Sequence, residues 1–576
     1  MEWDEEVDWL VVGSGAAGMT SALRAADLGV RTLVIEKSTC FGGSTAMSGG
    51  AIWVPANSGM AALGIRDSRD EGLRYLEHIV AGRVPAPRLA AYVDTAPRMV
   101  EYLAACSHVA FEAVPTYSDY YAEAPGGKPG ARTIEPPEFE AMQLGTERTR
   151  QRMGFEHSRP LPFMSIKASD VPALLLGGPR RLALVARRAA GYYLNLSARL
   201  AGAGNTCYTL GASLIARLRL SLLDRDVPLW LDSPLHELVL EDGRITGAVV
   251  GQGRRSVRVR VVRGVLLAAG GFEKNSAMRQ RYQEMPIGAD WAAGCPDNEG
   301  DAIRIAEGVG AALDLMDQAW WCPVFKVPGD PNPRVIVMEK GMPGSMLVDR
   351  AGRRFVNESS SYNDFVKGMY AAHRSGTPAI PAQLVFDATF RRRYPVGPVR
   401  PGSIQPDAAL PASIRDGFLV RAESLAELAR AIDVDPAGLA ASVARFNGFA
   451  RSGRDEDFGR GETLSDRYYS DPQVTPNPCL APIEKPPFYA VKVYPGDLGT
   501  KGGVVTDPHG RALDTAGRPI PGLYAAGNCS ASVMGETYPG AGGTIGPAMV
   551  FGFLAAEHAC GSGVDSRTER EAVHID

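Results

Sequence analysis

The sequence predicts an α/β protein. A doubly wound, nucleotide-binding domain is built from both chain ends, and an α+β domain is inserted between them. Three observations predict this. An apolar strand, a glycine turn and a helix open the chain. A short buried strand ending in small residues recurs at Val265–Gly271, and Pro521–Asn528 reads as strand then loop. A Pro/Gly-rich stretch then separates a middle region with no glycine fingerprint.

The opening unit runs from Asp8 to Lys37. Trp9–Val12 reads as a buried parallel strand. Gly13-Ser14-Gly15-Ala16-Ala17-Gly18 fits G-x-G-x-x-G, and an alanine-rich helix follows. Gly13 permits the tight turn, Gly15 lets backbone approach a pyrophosphate, and Gly18 lets the helix pack close to the sheet. The helix N-terminus offers free N–H groups and a positive dipole end to phosphates. A second strand, Thr32–Ile35, delivers Glu36, about 20 residues into the unit, where it can accept hydrogen bonds from a ribose hydroxyl. The unit is Rossmann-like.

The next segment, Cys40 to Gly50, is too glycine-rich for a strand or helix interior. Its place after Glu36 predicts backbone laid against a dinucleotide and its ring. Residues 60–106 read as helical. Residues 115–142 read as a covering loop that carries Tyr117, Tyr120 and Tyr121.

Val171–Leu223 holds seven arginines (180, 181, 187, 188, 199, 217, 219) and no acid. On a helix, the first five fall within an arc of about 120°. The reading is a basic amphipathic segment against an anionic membrane surface, or a docked helix whose arginines face solvent or pair with distant acids.

Residues 228–271 resume strand alternation, with Glu241-Asp242-Gly243 as a hairpin turn. The domain reading is 1–322, then an inserted cap at 323–497, then 498–576 returning to the first domain. Thr537–Gly546 opens the last helix as a glycine loop with proline in the first turn, a second N-terminus able to bind an anion or carbonyl.

Composition excludes several classes. The chain has 576 residues, 22% charged, with net charge −4, so no nucleic-acid partner is expected. Eight scattered cysteines without a C-x-x-C pair, and eight histidines without H-x-x-x-H spacing, predict neither a disulfide framework nor a metal site. The acidic N-terminus lacks an apolar signal core and no apolar run is long enough to span a bilayer. The expectation is a cytoplasmic protein, with peripheral contact at the inner membrane face through 171–223.

These motifs resemble the flavoprotein family of fumarate reductases and 3-ketosteroid dehydrogenases. The stretches carrying the resemblance are GSGAAG with Glu36, FGGSTAMSGGAIW, VLLAAGGFE, GDLGTKGGVVTD and GLYAAGN. SDYYAE, RRFVNESSSYNDFV and ETYPGAGGTIGPAM are similar to the Δ1-dehydrogenases within it. The resemblance implies non-covalent FAD. It places cofactor contacts at Gly13, Ser14, Gly15, Ala16, Ala17, Gly18, Glu36, Lys37, Gly42, Gly43, Ser44, Thr45, Ser48, Gly49, Gly50, Ala269, Gly270, Gly527, Asn528, Thr544 and Ile545. It implies 1,2-desaturation of a 3-ketosteroid A ring in steroid degradation, with Tyr538 hydroxyl and Gly542 N–H as donors to the 3-oxygen. Tyr362 matches the base and Tyr120 its support, with Tyr121 adjacent as an alternative. A quinone is the expected electron acceptor at a membrane. A Δ4-(5α)-dehydrogenase is the second reading and a fumarate reductase-like flavoprotein the third, disfavoured because the basic clamp for two carboxylates is missing.

Overall fold

The computed structural model describes residues 2–154, 163–170, 174, 178–200, 202–253 and 255–561. An eight-stranded sheet carries the nucleotide-binding half. Its path runs Arg511–Leu513, Pro519–Ala525, Arg255–Leu267, Glu5–Val12, Thr32–Ile35, Leu229–Trp230. The four central pairings are parallel, with Val12 beside both Leu267 and Ile35. The strands Leu235–Glu241 and Arg244–Gln252 hang off Arg255–Leu267 as antiparallel neighbours. The turn between them puts Asp242 and Gly243 at φ +48° and +75°, the left-handed pair a two-residue hairpin needs.

The central strands are buried on both faces because helices cover both. The first helix, Ala16–Asp27, packs along the last, Ile545–Gly561. Gly18 permits its close seat: a Cβ there would lie 2.0 Å from the Gly13 carbonyl oxygen.

A second, six-stranded antiparallel sheet runs Arg334–Val335, Ala319–Phe325, Phe488–Thr500, Ala382–Asp387, Ser345–Val348, with Val420–Ala422 also pairing Phe488–Thr500. Its long strand crosses residues 497 and 498 without a break and leads back toward the first sheet. A separate core of Phe325, Phe365, Phe386 and Phe390 packs on it.

One expectation needs correction, and the structure decides between the alternatives of another. The segment after Glu36 is not wholly loop, since Gly43–Met47 forms one helical turn, started by Gly42 in the left-handed region. The basic stretch does contain a helix, Gly178–Leu194, and its Arg188 takes the paired alternative rather than facing solvent or lipid. Arg188 is buried and pairs with Glu138 and Asp170 at 2.6 and 2.9 Å. Arg217 and Arg219 sit on another helix, Leu210–Leu223, donating to the carbonyls of His108 and Glu138 and to the Glu147 carboxylate. Acids distant in sequence draw Arg188 and Arg219 inward, and backbone carbonyls hold Arg217. No helix among the described residues is long and apolar enough to cross a membrane.

Candidate active site

A cavity of about 1060 Å³ begins at the glycine turn, passes along the Gly43–Gly50 segment and ends among tyrosines. Of the sequence-predicted cofactor residues, Gly13, Ser14, Gly15, Ala16, Ala17, Glu36, Lys37, Gly43, Ser44, Thr45, Ser48, Gly49, Gly50, Ala269, Gly270, Gly527, Asn528, Thr544 and Ile545 line it. Gly18 and Gly42 do not. Gly18 serves helix packing, and the Gly42 amide donates to Ser14 Oγ at 3.0 Å.

The cradle fits a dinucleotide. The N-cap residue Gly15 has no side chain to cap the first helix, Thr45 Oγ1 accepts from Ala16 N at 3.2 Å, and a Cβ added at Gly15 would meet only Thr45 Oγ1, at 3.6 Å. Gly43 and Gly49 have nothing within 4 Å of an added Cβ. The helix end is therefore open to the cavity as a seat for phosphate. The Glu36 carboxylate accepts from Ser14 N, Ser14 Oγ and Ser38 N at 3.1, 2.6 and 3.0 Å, which fixes it at the strand end. Lys37 turns away from a phosphate role: its Nζ pairs with Asp301 at 2.5 Å.

At the other end, three tyrosines far apart in sequence converge. The ring centres of Tyr362 and Tyr538 are 5.2 Å apart, Tyr120 and Tyr362 5.4 Å, and Tyr120 and Tyr538 5.5 Å. Tyr362 is the first residue of the helix Tyr362–Arg374, whose cap is Ser361, accepting from Asp364 N. The preceding turn is pinned by Glu358, fully buried between Arg354 and Arg460. Tyr538 lies on the glycine loop that opens the last helix, and its hydroxyl shares a 3.0 Å hydrogen bond with Thr544 Oγ1. Gly542 occupies φ +92°, and a Cβ there would lie 2.4 Å from the Ile52 carbonyl carbon, so only glycine fits this turn.

The structure separates the two adjacent tyrosines. Tyr120 packs against Tyr362 and Tyr538. Tyr121 points elsewhere, donating to Asp364 Oδ1 at 3.0 Å. The Tyr120 hydroxyl is buried with no hydrogen-bond partner of good geometry among the described residues. Burial raises Tyr120 and Tyr362 well above the ordinary phenol range, and neighbouring tyrosines add to this; burial also raises Tyr538. All three are neutral phenols at rest.

Sequence reading missed several participants. Trp320 meets Tyr538 edge-on at 4.8 Å and donates from Nε1 to Asn528. Tyr117 and Tyr469 line the cavity with their hydroxyls 3.0 Å apart. Asn298 donates to Ser44 Oγ and to the buried Glu273. Arg152 closes the Ser38 side. Only Tyr117 stood beside a motif; the others lie in unremarkable local sequence.

The parallel sheet, the glycine cradle and the buried polar group at the cavity end define an α/β flavoprotein oxidoreductase. The FAD binding domain family matches residues 8–545, and the chain belongs to that family. It is 43% identical to the 3-oxosteroid 1-dehydrogenase of Mycobacterium tuberculosis over 96% of this chain and 98% of that one. It is 34% identical to the 4-oxocyclohexanecarboxylate 2-dehydrogenase of Sinomonas cyclohexanicum over 96% of this chain and 93% of the relative. Among solved structures, it superimposes with TM-score 0.94 and 46% identity on the 3-ketosteroid Δ1-dehydrogenase of Sterolibacterium denitrificans in complex with 1,4-androstadiene-3,17-dione. That match covers 97% of this chain and all of the other.

Proposed function

We propose that this protein is an FAD-dependent 3-oxosteroid 1-dehydrogenase, which introduces the double bond between carbons 1 and 2 of a 3-ketosteroid A ring. The observation that carries the reading is the convergence of three tyrosines: Tyr362 and Tyr538 line one end of the dinucleotide cavity, and Tyr120 packs against both of them. The near full-length likeness to 3-oxosteroid 1-dehydrogenases supports it.

The proton on carbon 2 is acidic because it lies beside the 3-carbonyl, and its removal builds negative charge on that oxygen. Tyr538, kept protonated by burial, donates to the oxygen, and the Gly542 N–H donates from the same turn. Tyr362 takes the proton as its phenolate, having first given up its own proton to bulk water before the steroid closes the cavity. A phenol is a weak base until ionised, and burial alone disfavours ionisation. The unpartnered Tyr120 hydroxyl is the group placed to hydrogen-bond the Tyr362 oxygen as its charge changes. Gly13 to Ala17, Glu36, Ser44, Thr45, Gly49 and Gly50 line the cavity and would hold FAD. Bound FAD supplies the acceptor for the hydride from carbon 1. The aromatic lining excludes water and suits an apolar ring system.

Anaerobic mixing with a 3-keto-4-ene steroid tests this. The oxidised-flavin absorbance should bleach with the 1,4-diene as product. Bleaching only with the saturated 5α steroid, giving the 4-ene, would transfer the chemistry to carbons 4 and 5.

The helical segment 178–200 supports peripheral membrane contact in a form different from an arginine arc. Leu182, Tyr193, Leu194, Leu196 and Leu200 are 62–90% exposed, beside exposed Arg181 and Arg187. Apolar side chains rimmed by cations suit an anionic bilayer surface and a lipid-soluble quinone as electron acceptor. Replacing Leu194, Leu196 and Leu200 by Ser should abolish flotation with phosphatidylglycerol vesicles while steroid turnover continues. Unchanged flotation would overturn this contact.

A further inference from the structure

Lys501 lies completely buried behind the tyrosine cluster. Its backbone N–H donates to the Gln318 carbonyl at 3.0 Å and its carbonyl accepts from Ser532 N at 3.1 Å, so its Cα is fixed. The side chain turns inward. Its Nζ donates to the Thr537 carbonyl at 2.7 Å and stands 4.4 Å from the centre of the Trp320 ring. Thr537 immediately precedes Tyr538, and Trp320 is the ring edge-on to Tyr538. Lys501 thus connects to Tyr538 indirectly by two routes, one along the backbone from Thr537 and one through the Trp320 indole.

This placement is costly. A buried ammonium usually has a carboxylate beside it. Among the described residues Lys501 has no ion pair. Asp364 and Glu536 act on it through space, as does the repelling Lys367. Lys367, on the helix begun by Tyr362, donates to the Glu536 carbonyl at 2.9 Å. Two lysines therefore clamp consecutive carbonyls of the loop that presents Tyr538. One carbonyl and one indole face leave the three N–H donors of Lys501 under-used, and burial accordingly lowers its pKa well below the ordinary amine range. Such a group gains most from negative charge appearing close by.

Resting on the steroid reading above, we propose that Lys501 is a positioning residue for the Tyr538–Gly542 pair: it fixes the Thr537–Tyr538 peptide, and in its ammonium form, which the Thr537 carbonyl and the Trp320 ring face receive, its charge behind the Trp320–Tyr538 rings favours negative charge on the steroid 3-oxygen. A unit charge on the order of 10 Å away, at an effective dielectric near 20, changes a pKa by about one unit, or tenfold in equilibrium.

The test uses the holoenzyme and estradiol, whose phenolic A ring places an ionisable oxygen where the enolate oxygen would form. The pKa of the bound phenol is read from phenolate difference absorbance, without turnover. In wild type it should lie below that of free estradiol. In Lys501→Met it should rise by about one unit, with kcat falling and KM nearly constant. Lys501→Gln keeps a donor to Thr537 but no charge, and should show the same rise with the folded state and flavin retained. An equal bound pKa in wild type and both variants overturns the proposal, even if activity falls, because a merely structural lysine would leave the phenol untouched. A wild-type phenol no more acidic than free estradiol also overturns it. Failure of wild type to bind any A-ring steroid overturns it by a different route, through the steroid reading itself.

Discussion

Replacing Tyr362 with Phe removes one oxygen atom and leaves nearly everything else. The Tyr362 ring sits against Tyr120 and Tyr538 at 5.4 and 5.2 Å, and a phenyl ring fills the same space. The helix it begins keeps its Ser361 cap. The preceding turn keeps its Glu358 anchor. Stability should therefore change by no more than about 1 kcal/mol. The cavity contacts from Gly13 to Thr45 are untouched, so the purified variant should be as yellow as wild type. The lost oxygen, however, is the atom assigned to receive the carbon-2 proton. Positioned proton transfer contributes about 10²–10⁴ in rate, equivalent to roughly 3–5 kcal/mol of barrier. Single-turnover bleaching of the flavin by a 3-keto-4-ene steroid should slow by that factor, with steroid affinity nearly unchanged. Bleaching within about tenfold of wild type, in a variant with full flavin content, would refute Tyr362 as the base. A variant that loses flavin or melts early would instead refute the packing argument.

Two other predictions concern buried carboxylates. Glu358 accepts from Arg354 Nε and Nη2, Arg460 Nη1 and Leu347 N at 2.9, 2.7, 3.1 and 3.0 Å. Removing it in Glu358→Ala leaves buried Arg460 without its carboxylate and Arg354 with Asp455 alone, and should cost about 3–5 kcal/mol, read from the denaturant midpoint. Burial pushes its carboxyl up, but the charges of Arg354 and Arg460 outweigh this and hold it below the usual range. Its contribution is therefore present above the unfolded pKa near 4 and is lost as pH falls through the folded value. Glu273 behaves oppositely. Burial, and then Asp497, push it up to about 7. Its protonated form suits the fold, so stability declines as pH rises from about 4 to about 7. Glu273→Gln should flatten that decline and gain about 2–3 kcal/mol over wild type at pH 8, with little change at pH 4. An equal pH slope in both proteins would refute the assignment.

What the sequence determined by itself was everything that local geometry writes into a short window. Gly13, Gly15 and Gly18 mark a strand–turn–helix because a tight turn and a close helix seat each need a missing side chain within six residues. The Asp242-Gly243 hairpin and the helix opening at Thr537–Gly546 are legible for the same reason: positive φ and capping are local demands. Resemblance then pointed to Tyr120, Tyr362 and Tyr538, whose motifs are each contiguous. Only the tertiary structure decided which groups meet. It turned Tyr120 to its two partners and Tyr121 to Asp364. It drew Arg188 inward to Glu138 and Asp170 and left Leu194, Leu196 and Leu200 outside. It also set Trp320 and Lys501 behind Tyr538. A side chain's partner depends on where a distant segment of chain returns, and no periodicity around Lys501 or Arg188 encodes that. Periodicity sees a cation or an apolar face; burial and pairing, which set its chemistry, come from the other side of the contact.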